Sequence, residues 1–289
     1  MNSKAAELTT GKGNLPLLKI STPRSAAEIY LHGAHIAHFQ KNGEPPLLFL
    51  SRKSMFEAGK AIRGGIPICY PWFGAREGGP SHGLARIAAW ELLETSTAPD
   101  GSVRARLSLP QINLTAEWAA LRTEFIVTIA DTLTMELVVK NESADKTVEF
   151  ENCLHTYFNI GEIDAVSLTG LRGAMYLDNS GEGRGELKTD NESVLIIPKE
   201  TNRLYLDTTH AVEIRDEKFR RTIRVDKWGS HSTVVWNPWT TQKLPDDFDP
   251  AEHRNMVCVE SGNIKQNKIS LAPGQTNSLK VVISTIPSK

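Results

Sequence analysis

Glu124–Lys140 reads EFIVTIADTLTMELVVK. In Glu124–Ile129 the residues Phe125, Val127 and Ile129 alternate with others, and in Thr134–Lys140 the same alternation runs through Met135, Leu137 and Val139. A period of two in residues that favour strands predicts sheet with one face buried, because successive side chains leave a strand on opposite sides. Leu279–Ser284 (LKVVIS) is a further β-branched run. Turn signals separate such runs at Asn42-Gly43, Asp100-Gly101 and Pro273-Gly274. Helical periodicity is scarce, with one short helix expected around Lys53–Gly59 and another at Pro250–Asn255.

Strand signals recur from near residue 16 to residue 286, and no Pro/Ser/Gly tract or fixed-period repeat divides them. The chain of 289 residues is long enough to bury one large all-β core. The expected fold is all-β, a large antiparallel β-sandwich or related two-sheet form over residues 14–289. Residues 1–13 are expected to fray, and Asn179–Glu186 (NSGEGRGE) to form a mobile polar loop.

The formal charge of −1 gives no overall pull toward nucleic acid or an anionic membrane, so any anion site has to be local. Cys69, Cys153 and Cys258 are odd in number, far apart and without CxxC spacing, which suits free thiols in a reducing, cytoplasmic compartment. The opening MNSKAAELTTGKGN has no apolar run of a secretory signal, and no stretch reaches transmembrane length.

Five segments carry groups suited to chemistry, each with a plainer alternative. Arg63-Gly64-Gly65-Ile66-Pro67 is a tight turn beside a surface Arg, or a close backbone approach with a guanidinium that forks onto an oxyanion. Ser81-His82-Gly83-Leu84-Ala85-Arg86 is a Gly-rich loop whose His caps a backbone group, or an anion-recognition loop. In Glu151–Phe158 (ENCLHTYF) a strand would put Glu151, Cys153, His155 and Tyr157 on one face, and His155 is either a satisfied structural histidine or a general acid. In Met256–Gly262 (MVCVESG) Val257 and Val259 would face the core and Cys258 and Glu260 the other way, leaving Glu260 a solvated strand end or a general base. Trp236-Asn237-Pro238-Trp239 is an aromatic core with a Pro turn, or a face for a sugar ring with an Asn for its hydroxyls. His32, His35 and His38 look like metal spacing, but on a strand His35 points away from the other two, so no metal site is expected.

In order along the chain, LHGAHIAHF, RGGIPICYPWFG, SHGLAR, LTMELVVKN, LHTYFNIG, VVWNP, VCVESG and LAPGQT span residues 31 to 276. Together they resemble the aldose 1-epimerase (galactose mutarotase-like) superfamily, and within it the glucose-6-phosphate 1-epimerase branch. The resemblance implies a galactose mutarotase-like β-sandwich and no metal or organic cofactor. It also implies a general acid at His155 and a general base at Glu260. Sugar-phosphate contacts would fall on Arg63, Ser81, His82, Arg86 and Asn202, with Trp236, from its own segment, as the face for the sugar ring. Asn202 stands where relatives often have Asp, and Ile87 where they often have Asn. The expected activity is interconversion of the anomers of a hexose 6-phosphate by a monomer whose partner is the small sugar phosphate. The alternatives are a mutarotase of unphosphorylated aldoses, in which Arg63 and Arg86 bond hydroxyls or structural carboxylates, and a non-catalytic carbohydrate-binding module, which has no need of both His155 and Glu260.

Overall fold

The computed structural model describes residues 5–181, 184–242 and 244–288. The chain is almost entirely antiparallel sheet. A nine-stranded sheet contains the hairpin Leu121–Ile129/Leu133–Asn141, whose register pairs Phe125 with Leu137 and Ile129 with Leu133. Phe125, Val127, Ile129, Met135, Leu137 and Val139 are all buried, so the alternation in the sequence is the alternation between core and outer face. Thr276–Pro287 lies beside this hairpin, with Leu279, Val281 and Ile283 in the same apolar layer.

An eight-stranded sheet faces it. Its central strands are Thr201–Tyr205, Ser232–Asn237, Met256–Asn263 and Asn152–Leu154. Val235, Val257, Val259, Leu154 and Phe158 of this sheet join Phe125, Leu137 and Leu279 of the other in one cluster. A four-stranded sheet, Ala6–Thr10 to His35–Lys41, adds Ile29 and Ile36 to the same cluster. The odd positions of Met256–Asn263 are therefore spent on the sandwich core. Cys258 and Glu260 are left on the opposite face, where Trp236, Val234 and Tyr157 also point.

Three local expectations change. Residues 52–60 hold turns rather than a helix. A run of four residues between Ser54 and Glu57 has no turn of its own, and Arg63 N donates to Ser54 Oγ (2.7 Å), closing the segment as a loop. Of the start expected to fray, Ala6–Thr10 pairs with Pro16–Ser21 as an edge strand, and Ala5 and Ala6 pack on the core. In Asn179–Glu186 the loop joins Met175–Asp178 to Glu186–Thr189, so Glu186 begins a strand, while residues 182–183 lie outside the described residues. Pro250–Asn255 is helical, as a 3₁₀ turn closed by an Asp249/Glu252 capping box. Among the described residues, no helix is long and apolar enough to cross a membrane.

The fold also buries a cation. Lys227, on Arg221–Trp228, is 6% exposed, and its Nζ donates to Thr233 Oγ1 (2.7 Å), Ser232 O (2.9 Å) and Thr208 Oγ1 (3.2 Å). Burial lowers its pKa to about 7, opposed only by Cys153. The unfolded lysine titrates near pH 10.4. Between these values the unfolded chain binds the extra proton, so stability rises with pH, and what this lysine contributes is lost as pH falls through about 7. From pH 7 to 9, chemical denaturation of the native protein should show a steeper rise in unfolding free energy than the Lys227→Met variant, by up to about 1.4 kcal/mol per pH unit. Identical slopes would show that Lys227 keeps its ordinary pKa in the fold.

Candidate active site

Met256–Asn263 pairs with Asn152–Leu154 (Leu154 opposite Ser261) and, further along, with Tyr157–Asn159 (Tyr157 opposite Cys258). The register is the same on both sides of the two-residue interruption, so His155 falls opposite Glu260. The interrupted strand takes its other hydrogen bonds from the RGGIP segment: His155 N donates to Pro67 O (3.0 Å) and Tyr157 N to Gly65 O (2.9 Å). That approach depends on the paired glycines. A Cβ on Gly64 would lie 2.5 Å from Phe49 O, and one on Gly65 2.4 Å from Ile36 O, both at positive φ. The glycines thread the chain between neighbouring backbones and deliver Arg63 to the Tyr157 side of the sheet.

All eight residues expected to act line one cavity of about 370 Å³: His155, Glu260, Arg63, Ser81, His82, Arg86, Asn202 and Trp236. His155 Nε2 is 3.3 Å from Glu260 Oε1, and Cys153 Sγ donates to Glu260 Oε2 at 3.6 Å. Glu260 is 1% exposed and sits mid-strand, so it is not a solvated strand end. Burial raises its pKa well above the carboxylate range, against the pull of Cys153 and Arg86. Burial lowers that of His155 well below the usual imidazole value, helped by His82, Arg86 and Arg63. The pair thus holds one proton between its members, and burial favours the uncharged distribution.

Arg63 is not a surface residue. Its Nε donates to Asp247 Oδ1 (3.2 Å), and the Asp247 side chain is itself buried. Burial opposes the Arg63 charge, but Tyr157 and Asp247 more than offset this and raise its pKa. Arg86 Nη2 donates to Ser81 O (2.7 Å), while its buried Nε has no partner among the described residues. Burial lowers the Arg86 pKa, though guanidinium stays charged in proteins. The Ser81–Arg86 loop docks on Tyr70 O, which accepts from Leu84 N and Ala85 N.

His82 does both things its segment allowed. It lines the cavity, and its Nδ1 accepts from Gly74 N (3.3 Å). Burial, Arg86 and Arg63 together lower its pKa to about 3, so it offers a neutral ring rather than a second cation. Trp236 packs edge-on to His155 and Tyr157, and its Nε1 donates to Gln242 Oε1 (2.9 Å). Asn237, by contrast, is fully buried and holds His253 O and Met256 O. Asn202 sits beside Trp236 in the ladder. Glu151 does not line the cavity, and its carboxylate accepts from Phe73 N and Lys265 N.

Residues that the sequence did not single out as site residues are Tyr157, Phe73, Gln242, Leu244, Pro245 and Phe248 in the wall, and Asp247 behind Arg63. The Asp247–Arg63 contact joins residues 184 positions apart, and no local pattern marks it. His32, His35 and His38 do not gather. His32 Nε2 lies 2.6 Å from Lys60 O in a turn, and fully buried His35 has its pKa lowered to about 3 by burial, His32 and Arg86. A hollow of about 460 Å³ over the four-stranded sheet is larger than the site, but its buried carboxylate, Glu252, is taken up by Ser51 Oγ (2.8 Å) and Arg52 (3.0 Å).

A His–Glu contact and two guanidiniums under an aromatic wall suit proton transfer on a small polar, anionic ligand. The sequence pattern of the aldose 1-epimerase family matches residues 16–284. The chain belongs to the aldose 1-epimerase family. A Cenchrus ciliaris protein provisionally named glucose-6-phosphate 1-epimerase is 30% identical over 99% of this chain and 89% of its own. An Escherichia coli K12 protein with the same provisional name is 32% identical over 86% of this chain and 83% of its own. The crystal structure of a Salmonella typhimurium protein provisionally described as a mutarotase superposes with a TM-score of 0.87 at 26% identity, covering 99% of this chain and 95% of that one. The eight-stranded and nine-stranded sheets described above are thus the galactose mutarotase-like sandwich.

Among family members, the Gly64-Gly65 approach is testable in this chain without any substrate. Gly65→Ala puts a Cβ at φ +59 against Ile36 O and within 2.5 Å of His35 Nε2. The left-handed conformation alone costs about 1–2 kcal/mol, and the collision adds to it. Chemical denaturation should show at least that loss. A variant as stable as the native protein would show that the RGGIP strap can shift away from the four-stranded sheet.

Proposed function

We propose that this aldose 1-epimerase family member interconverts the α and β anomers of a hexose 6-phosphate, glucose 6-phosphate above all, by opening and reclosing the ring. The observation that carries the proposal is the opposition of His155 and Glu260 in one cavity with Arg63 and Arg86. The names of the Cenchrus and Escherichia coli relatives agree with it.

In the reactive state His155 carries the shared proton and Glu260 is ionised. Glu260 takes the proton of the C1 hydroxyl while His155 gives its proton to the ring oxygen, and the C1–O5 bond breaks to an open aldehyde. The site then holds neutral His155 and protonated Glu260. Rotation about C1–C2 presents the other carbonyl face. Closure returns the proton of Glu260 to the new C1 oxygen and the O5 proton to His155. Burial favours the uncharged pair, so it pushes both protons in the direction of ring opening. No net proton enters or leaves.

Magnetisation-exchange NMR on glucose 6-phosphate tests the reaction directly. Catalytic amounts of protein should exchange the two C1 signals above the spontaneous rate. Glu260→Gln and His155→Asn should each lower that rate by about 10²–10⁴-fold with the fold intact. A well-folded Glu260→Gln protein with an unchanged rate would remove Glu260 from the role of base.

A mutarotase of unphosphorylated aldoses has one observation in its favour: Arg63 is already bonded to a carboxylate, Asp247. Only its Nε makes that bond, and Arg86, whose Nε has no partner among the described residues, lines the cavity without a carboxylate on it there. A charge-assisted hydrogen bond is worth about 1.5–3 kcal/mol, or roughly ten- to a hundredfold in affinity. Arg63→Ala and Arg86→Ala should therefore raise KM for glucose 6-phosphate strongly and for glucose little. Equal kcat/KM on both sugars in the unmodified protein, or equal losses in the Arg variants, would favour the free aldose.

A further inference from the structure

We infer that the proposed acid–base pair doubles as an inhibitory site for a thiophilic divalent cation, with Cys258 as the third ligand and Zn²⁺ as the type ion. A ring nitrogen of His155, the Cys258 thiol and a Glu260 carboxylate oxygen all lie within 4.8 Å of one another. Imidazole, thiolate and carboxylate are the three ligand classes that Zn²⁺ takes, at about 2.0–2.2 Å for nitrogen and oxygen and about 2.3 Å for sulfur. Two such bonds at a tetrahedral angle hold nitrogen and oxygen about 3.3 Å apart. The His155 Nε2–Glu260 Oε1 separation is 3.3 Å. Sulfur belongs about 3.5 Å from each, so Cys258 has to close by no more than about 1.3 Å.

The strand register makes this convergence rigid. Cys258 and Glu260 are two apart on Met256–Asn263 and share a face, and His155 lies across the ladder from Glu260. Cys153 Sγ holds the other carboxylate oxygen at 3.6 Å, as outer partners of a metal ligand do. Arg63 and Arg86 line the same cavity and oppose a dication. One thiolate and one carboxylate in the coordination sphere cancel the charge of the ion, with the Cys258 proton and the proton shared by His155 and Glu260 both leaving to solvent. The fourth position opens on the cavity that His155 and Glu260 line. A bound ion occupies the imidazole lone pair and the carboxylate oxygen that the proposed reaction needs, so it inhibits. The inhibition rests on that reaction, but the binding does not.

The test uses the full chain after dialysis against EDTA. Titration with Co²⁺ or Cd²⁺ should produce a thiolate-to-metal charge-transfer band that saturates at one ion per chain. Cys258→Ala should lose the band and Cys153→Ala keep it. Glu260→Gln should keep the band but bind about tenfold or more weakly, which tests the site even if Cys258→Ala fails to fold. In the exchange assay Zn²⁺ should inhibit the native protein. Cys258→Ala should keep much of its activity and need about tenfold or more Zn²⁺ for half-inhibition. Absence of a one-to-one band, a band that survives Cys258→Ala, or undiminished affinity in Glu260→Gln would overturn the site. Activity that is lost to EDTA and restored by Zn²⁺ would overturn its inhibitory character. A native protein that binds the ions as described but shows no anomer exchange would leave the site standing and refute the proposed reaction alone.

Discussion

The structure around the site depends on one costly placement, a carboxyl group in the middle of a central strand with 1% of its surface exposed. An unpaired carboxylate there would cost several kcal/mol, so the fold surrounds Glu260 with groups that remove the need for it to be ionised and alone. His155 shares a proton with it, the Cys153 thiol donates to its second oxygen, and Arg86 adds a favourable field. His155 can do this because Asn152–Asn159 keeps one register with Met256–Asn263 along its length, which puts His155 opposite Glu260. On its other edge the amides at 155 and 157 go to Pro67 O and Gly65 O, in step with the Cys153–Cys69 pairing. The two-edged pairing thus sets both the His155–Glu260 contact and the position of Arg63.

The cationic side of the cavity shows a different balance. Arg63 is held by Asp247, which lies in a loop more than 180 residues further along the chain. The ion pair lets a guanidinium stay buried and aimed without repelling Arg86 unchecked. It also lowers the net positive charge that a phosphate would meet. Arg86 is held only by a neutral carbonyl, Ser81 O, and keeps a buried donor without a partner among the described residues. Of the two, Arg86 is the stronger phosphate partner in the proposed reaction, and Arg63 serves geometry as much as charge. In a chain with a formal charge of −1, this local contrast is where anion preference has to come from.

Much of this was legible in the sequence where the physics is periodic. Phe125 to Val139 announced their faces by alternation, and Val257/Val259 against Cys258/Glu260 did the same for the strand that carries the site. Local composition misled where tertiary contacts decide. Lys53–Gly59 has helix formers but is fixed as a loop by Arg63 N on Ser54 Oγ. The polar Ala6–Thr10 earns its place only as an edge on Pro16–Ser21. Glu260 looked like a strand end because Ser261-Gly262 follows, yet the strand runs on to Asn263, and Gly262 is needed there because a Cβ would lie 2.4 Å from Asn152 O. Asp247 and Gln242 left no signal, since their partners are set by the fold and not by spacing.

The proposed acid–base chemistry at a buried pair also requires that the pair not drift. The Glu260 strand is pinned at both ends by fully buried asparagines. At its start Asn237 Nδ2 donates to Met256 O and His253 O, which also fixes the turn after Trp236 and hence the aromatic wall. At its end Asn263 Nδ2 donates to Asn152 Oδ1 (2.9 Å) and Gly229 O (2.7 Å), tying it to the strand that leads into His155. Amide side chains in a core are costly unless satisfied, and these are spent on backbone carbonyls and on each other. A displacement of about 1 Å between acid and base is enough to cost about a hundredfold in rate. The polar groups behind the sheet are therefore part of the means by which a 3.3 Å contact between His155 and Glu260 stays in register with the cavity above it.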